Sequence, residues 1–370
     1  MAFNKELQIS LLAISCIIIT IINILCIVVI ANSKKLQRKP PTVFIGNLIV
    51  THMIQGICVL PLYTIRVNSD SQHVFICDGF WFTYMLTFYS ATLSVFLLSV
   101  DRLLAIVLLN SYDKYVNKTN VVKVTIVMWC YVIALCILPF FKLQRSKALQ
   151  NSVCTYLQPR EWTIFMLIGN ALLPYIFIVL SYIYVRLKLK KLSAYFATAA
   201  ATSAQRCKDA NVNGKGSIIN NNNNQQQRDR KKHERRSRKF KKRSKITKLT
   251  FLIIFTYGLT WAPSIIYYLA QHFCPSCFTD SYYASELKSI LSFLMKYINF
   301  FDAMVAPVLY CYFHDEFRQE FKRIICRRIK KGAGATTTNS GTLASESNGG
   351  FGGSNIFAMT ETSSIAKQVP

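Results

Sequence analysis

Ionisable side chains set inside long apolar runs are where this sequence could do chemistry. Asp101 and Arg102 close a stretch of 22 uncharged residues from Gly79 to Val100. His52 stands in a second apolar run, and Lys296 and Asp302 stand in a third. At the centre of a bilayer such a charge costs about 2.5–3.5 kcal/mol on insertion scales, so it is normally paired and functional. Arg102 has an adjacent partner in Asp101. No paired carboxylates, nucleophile–base set or phosphate loop appears, and Gly214-Lys215-Gly216 lies in a polar, low-complexity stretch. Cys274-Pro275-Ser276-Cys277 has no matching His/Cys pair with which to hold zinc. The reading is not an enzyme, with no cofactor and no metal.

These groups need membrane helices to position them. The chain has 370 residues, 52% hydrophobic and 16% charged, too apolar for an ordinary soluble domain. The formal charge of +27 could point to nucleic acid, but 13 of the 44 Lys and Arg fall between Arg228 and Lys248. A membrane protein with basic loops accounts for both facts, and no nucleic-acid partner is expected. Seven segments are long enough to span: about Leu7–Ala31, Pro41–Ile65, Cys77–Tyr112, Val124–Phe141, Trp162–Val185, Leu249–Phe273 and Ser289–Tyr312. No cleavable signal peptide is evident. Lys34, Lys35, Arg38 and Lys39 after the first segment hold that end in the cytoplasm and leave the amino terminus, residues 1–6, outside. Basic residues at alternate connections agree, so the protein is expected in the plasma membrane as a multi-pass chain.

The connection over about 190–244 passes from Ala and Thr to Asn220–Asn224, Gln225–Gln227 and a basic block. It is expected to be disordered, with the alternative that its basic block continues the sixth helix downward. That block attracts anionic inner-leaflet lipids, meets a cytoplasmic partner, or does both. After the seventh segment, Phe317, Phe321, Ile324 and Ile325 recur on one face beside a basic stripe, which describes an amphipathic eighth helix on the membrane surface. Cys326 behind it is either an acylation site or a free thiol. Residues 329–370 read as a disordered tail with twelve Ser/Thr between Thr336 and Ser364, which a kinase could charge. The fold class is therefore an all-α membrane protein, a seven-transmembrane helix bundle over 7–328 with an eighth helix.

In order and spacing these segments resemble the rhodopsin-like, or class A, G-protein-coupled receptors. The resemblance covers roughly Leu7–Arg328 and rests on Asn23, Asn47-Leu48, Pro61, Cys77, Asp101-Arg102, Tyr112, Trp129, Pro139, Pro174 with Tyr182, Trp261-Ala262-Pro263 and Pro307-Val308-Leu309-Tyr310. It implies a receptor that binds a small extracellular ligand and opens its cytoplasmic side to a heterotrimeric G protein. Arrestin and a receptor kinase are further implied partners, with membrane lipids around it. Asp101, Arg102, Tyr182, Trp261, Pro263, Pro307 and Tyr310 would serve activation and coupling. Cys77 and Cys154 would tie the third helix to an outer loop, closing about 78 residues for about 4 kcal/mol in the chain-entropy model. Cys274 and Cys277 would make a second, local bridge.

Several positions depart from the family pattern. Where the second helix usually has Asp, this chain has His52. The Asn before the last proline is Ala306, and the Tyr after Arg102 is Leu103. The family's sodium site is thus in doubt, and His52 with Asp302 is expected to form a buried pair in its place, making signalling pH-sensitive. Arg243 stands where many members have an acid facing the arginine of the third helix, so that lock is absent and high basal activity is expected. Tyr84 stands where amine receptors have Asp, which argues against an amine, and Phe300 stands where opsins have Lys. Phe273-Cys274-Pro275-Ser276-Cys277 and Glu316-Phe317-Arg318-Gln319 are similar to adenosine receptors, although Tyr268 and Phe300 replace residues that contact adenosine there. The expected ligand site is Tyr63, Tyr84, Phe88, Asn170, Trp261, Tyr267 and Tyr268, with Arg66 and Lys296 near its mouth. Such walls suit a small aromatic or anionic ligand. Lys296 is read first as a side chain that snorkels, with a ligand anchor as the alternative. The rival readings are an opsin-like or non-signalling seven-helix protein and a transporter, which would show internal repeats.

Overall fold

A computed structural model describes residues 4–68, 74–108, 111–142, 160–212, 220–274, 277 and 286–324. Among the described residues, seven helices are long and apolar enough to cross a membrane. They are α1 (Lys5–Asn32), α2 (Pro40–Asn68), α3 (Val74–Val107), α4 (Lys118–Lys142), α5 (Arg160–Val212), α6 (Asn220–Phe273) and α7 (Glu286–Phe313). A short helix, α8, follows over residues 315–324.

Each helix turns its polar residues inward, because lipid offers them no hydrogen bonds. In α1 the buried stripe is Leu12, Ser15, Ile19, Asn23, Cys26 and Val29, at helical spacing, while Ile14, Ile17, Ile21 and Ile24 are exposed. Asn23 Nδ2 donates to the carbonyls of Ile19 at 2.8 Å and Ala303 at 3.1 Å, joining α1 to α7. Asn47 does the same for three helices. Its Nδ2 donates to Ser94 Oγ at 2.6 Å and its Oδ1 accepts from Trp129 Nε1 at 2.6 Å. The helix α3 occupies the centre, packed against α2, α4, α5 and α6.

Prolines set the local irregularities. Pro61 and Pro174 each follow a run of wider π turns, Gln55–Val59 and Phe165–Leu172. A proline ring crowds the carbonyl four residues back and removes one N–H, and a widened turn accommodates both effects. Gly56 lies in the first of these turns, against α1. A Cβ there would stand 2.8 Å from Thr20 Oγ1 and 3.0 Å from Ile19 Cγ2, so only glycine allows this approach. Pro263 and Pro307 sit inside otherwise continuous helices.

Part of the region 190–244 departs from expectation: α5 continues to Val212 and α6 begins at Asn220, while residues 213–219 lie outside the described residues. Ala, Gln, Lys and Arg are strong helix formers and make up more than half of both extensions, although Asn220–Asn224 are not.

The junction of α7 and α8 turns on His314, which is 8% exposed. Its Nδ1 accepts the Phe317 backbone N–H at 3.2 Å, capping α8, and Lys39 pairs with Glu316 close by. Burial first, then Lys39 and Arg102, push the imidazole down to about 4, against the upward pull of its own backbone contact and of Asp315. The folded cap therefore needs neutral His314, whereas the undocked imidazole takes a proton below its ordinary 6.5. Docking of α8 should be complete above pH 6.5 and weaken as the pH falls toward 4. Hydrogen exchange of the 315–324 amides, corrected for intrinsic rate, checks this. Protection should drop between pH 7 and 5, and His314→Asn should flatten the profile.

Candidate functional site

Two groups of functional residues lie at opposite ends of the bundle. Toward the Cys77 end, α3, α5 and α6 enclose a cavity of about 270 Å³. Tyr84 and Phe88 reach it from α3, one turn apart, and Trp261 and Tyr268 reach it from α6, two turns apart. Trp261 is 3% exposed and stacks on Phe88 with ring centres 4.7 Å apart, and it also lies near Tyr84 and Tyr257.

Four other expected wall residues do not line this cavity. Tyr63 is buried in a ring stack with Phe80 at 5.1 Å and Phe293 at 6.1 Å. Asn170 faces α4, where its Oδ1 accepts from the Tyr131 hydroxyl at 2.6 Å. Tyr267 accepts from Gln271 Nε2 at 2.9 Å. Lys296 does not snorkel, which corrects the first reading of it. The side chain is 6% exposed and its Nζ donates to Ser292 Oγ at 2.5 Å and to the Ser292 carbonyl at 3.3 Å. It lies 6.0 Å from the ring centres of Tyr63 and Trp81, and Arg66 lies over Phe80 and Trp81 at 5.1 and 5.3 Å. The aromatic surface offered to these cations kept them inside.

Sequence reading missed several wall residues, among them Trp81, Met85, Tyr89 and Ser264. It also missed Asn299, fully buried below the cavity. Asn299 Nδ2 donates to the Tyr84 hydroxyl at 2.9 Å, and its Oδ1 accepts from Ser264 Oγ at 3.0 Å. Gln55 Nε2 donates to the Asn299 carbonyl at 3.5 Å, so one residue joins four helices. An amide three residues before Asp302 in an apolar span was the available signal.

Midway along the bundle His52 and Asp302 meet. Nε2 of His52 is 3.4 Å from Oδ2 of Asp302, and the side chains are 1% and 2% exposed. Toward the other end Arg102 and Asp101 form a buried ion pair, and the Tyr112 hydroxyl donates to Asp101 Oδ1. Arg102, Ser181, Tyr182, Thr247, Thr250 and Phe251 surround only about 10 Å³ of space, so α5 and α6 close over the arginine. Tyr182 stacks on Phe251 at 4.3 Å and its hydroxyl accepts from Arg186. Tyr310 is fully buried, its ring 6.3 Å from that of Phe317. The Arg243 side chain lies outside the described residues.

Cys274 and Cys277 are bridged, as expected. Cys77 is disulfide-bonded. Cys154 and Cys326 lie outside the described residues.

The family model for seven-transmembrane receptors of the rhodopsin family matches residues 22–310. The chain belongs to the rhodopsin family of seven-transmembrane receptors. Its members are receptors, not enzymes, and this receptor is a multi-pass membrane protein. Relatives include cannabinoid receptor 1 of Xenopus laevis, 29% identical over 49% of this chain and 39% of that one. Human 5-hydroxytryptamine receptor 1D is 23% identical over 87% of this chain and 89% of its own. Octopamine receptor beta-2R of Chilo suppressalis is 21% identical over 82% and 75%. The receptor thus spans well under half of the cannabinoid receptor it matches, but most of the two others.

Proposed function

We propose that the receptor takes a small extracellular ligand in the cavity at its Cys77 end and activates a heterotrimeric G protein at its Arg102 end. One observation carries this reading. Trp261 lines the cavity, and the same helix closes over Arg102 some three to four turns further along. Pro263, two residues from Trp261, weakens α6 at the level where a ligand would press on it. A ligand that repacks Trp261 against Phe88 therefore biases the position of the far end of α6. Pro307 and Tyr310 give α7 a similar weak point, and Tyr182 a surface for α6 to leave. The basic connections support an extracellular amino terminus, and the Ser/Thr-rich tail supports regulation by a receptor kinase and arrestin.

The named amine receptors do not carry over their ligands. Among the described residues no carboxylate lines the cavity, and Tyr84 occupies the place of the amine-binding acid. The bridge Cys274–Cys277 supports kinship with adenosine receptors rather than a shared ligand. His52 and Asp302 stand for the sodium site. A hard cation takes oxygen ligands, and a ring nitrogen against Asp302 does not suit it. Purified receptor in nanodiscs, mixed with each class of G protein, should accelerate uptake of a non-hydrolysable GTP analogue. Failure with every class would refute the signalling role.

A further inference from the structure

The cavity wall holds hydrogen-bond donors without partners and no carboxylate among the described residues. Two buried wall groups have no hydrogen-bond partner, the indole N–H of Trp261 and the hydroxyl of Tyr268. The indole can only donate. Tyr84 already accepts from Asn299, so its own proton remains to be given. No Asp or Glu lines the cavity among the described residues, and the nearest buried acid on α7, Asp302, is held by His52.

Positive charge stands directly behind this wall. Lys296 makes no ion pair among the described residues, and both acceptors of its ammonium belong to Ser292 and are neutral. Trp81 is a wall residue, and its ring lies against both Lys296 and Arg66. A buried cation without a counter-charge is costly. The missing counter-charge is what a ligand could bring.

We propose that the cavity is built for an anionic ligand with an apolar or aromatic body, in the simplest case a monocarboxylate. This rests on reading the cavity as the ligand site. The body stacks on Phe88 and Trp261. The carboxylate takes the donors at the Tyr268 and Trp81 side, where a turn of the Trp81 indole brings Lys296 into contact. An ammonium ligand would meet donors and the like charge of Lys296 instead, which specifies against it.

Indole-3-acetate, indole-3-acetamide and tryptamine share one ring and differ in charge, which makes them the probes. Thermal unfolding of the full-length receptor in nanodiscs should rise with millimolar indole-3-acetate, little with the amide and not with the amine. Lys296→Met should weaken the apparent affinity for the acid by about tenfold or more, the loss of one charge-assisted contact. Lys296→Arg should keep most of it. Tryptamine stabilising as well as the acid, no stabilisation by the acid, or full acid affinity in a folded Lys296→Met would each overturn the proposal. The ranking on unaltered receptor decides even if that variant does not fold. Ligand-free nucleotide exchange on the same samples separates the two readings. Exchange without acid binding removes only the ligand class, whereas acid binding without exchange removes only the signalling role.

Discussion

Replacing Arg102 with alanine is expected to lower G-protein nucleotide exchange by roughly 10- to 100-fold, the equivalent of about 1.5–3 kcal/mol for hydrogen bonds to a charged group. The guanidinium is 4% exposed and lies against Asp101, which Tyr112 also engages. A buried arginine keeps its charge whatever surrounds it, so it must exchange one set of acceptors for another when α6 moves away. On the proposed coupling, the carbonyls and side chains of the G protein would supply that second set. Removing the guanidinium removes this gain, while Tyr112 still satisfies one oxygen of Asp101. Surface expression and thermal stability of the variant separate lost coupling from lost folding. Exchange at the unaltered rate in a well-folded Arg102→Ala receptor would rule out the role.

The second large effect is expected at Asp302. Removing one partner of a buried pair costs about 3–5 kcal/mol, because the other is left without compensation. At 3.4 Å, and almost wholly buried, His52 and Asp302 form such a pair. Neither nitrogen of His52 has another hydrogen-bond partner, and neither does Oδ1 of Asp302. Asp302→Ala should fall within that range. A lowered midpoint of thermal unfolding and lower surface expression are the measurements. Exchanging the residues, His52→Asp with Asp302→His, should restore much of both. A double variant as damaged as either single one would show that the two side chains do not act together.

The sequence revealed depth better than direction. Pro61, Pro174, Pro263 and Pro307 could be located along their helices because a missing N–H has the same local consequence in any helix. Asn23, Asn47 and Trp129 stood out because a polar group in lipid must find a partner, and each has found one. Which way a side chain points around its helix is a different matter. Successive residues turn by about 100°, and in α3 and α7 aromatic residues occupy so many positions that no single apolar face stands out. Trp81 therefore entered the wall unforeseen, while Tyr63 of α2 went behind it. Lys296 was misjudged for the same reason, since its stem could equally have run outward to water. Asn299 escaped notice because its partners, Tyr84, Ser264 and Gln55, come from three other helices. The extension of α5 and the Asn/Gln start of α6 were missed because polarity was read as disorder, whereas the basic block was read as able to continue α6.

Those extensions make α6 a long lever. From Pro263 to Asn220 it runs 43 residues, about 65 Å at 1.5 Å per residue. A bilayer core is only about 30 Å thick, so much of the arm extends beyond it. A pivot of about 10° at Pro263 would carry the arm's tip through about 11 Å, although near Arg102 the same pivot shifts the helix by only a few ångströms. Mechanical advantage of this kind would let a small repacking of Trp261 be read far from the ligand.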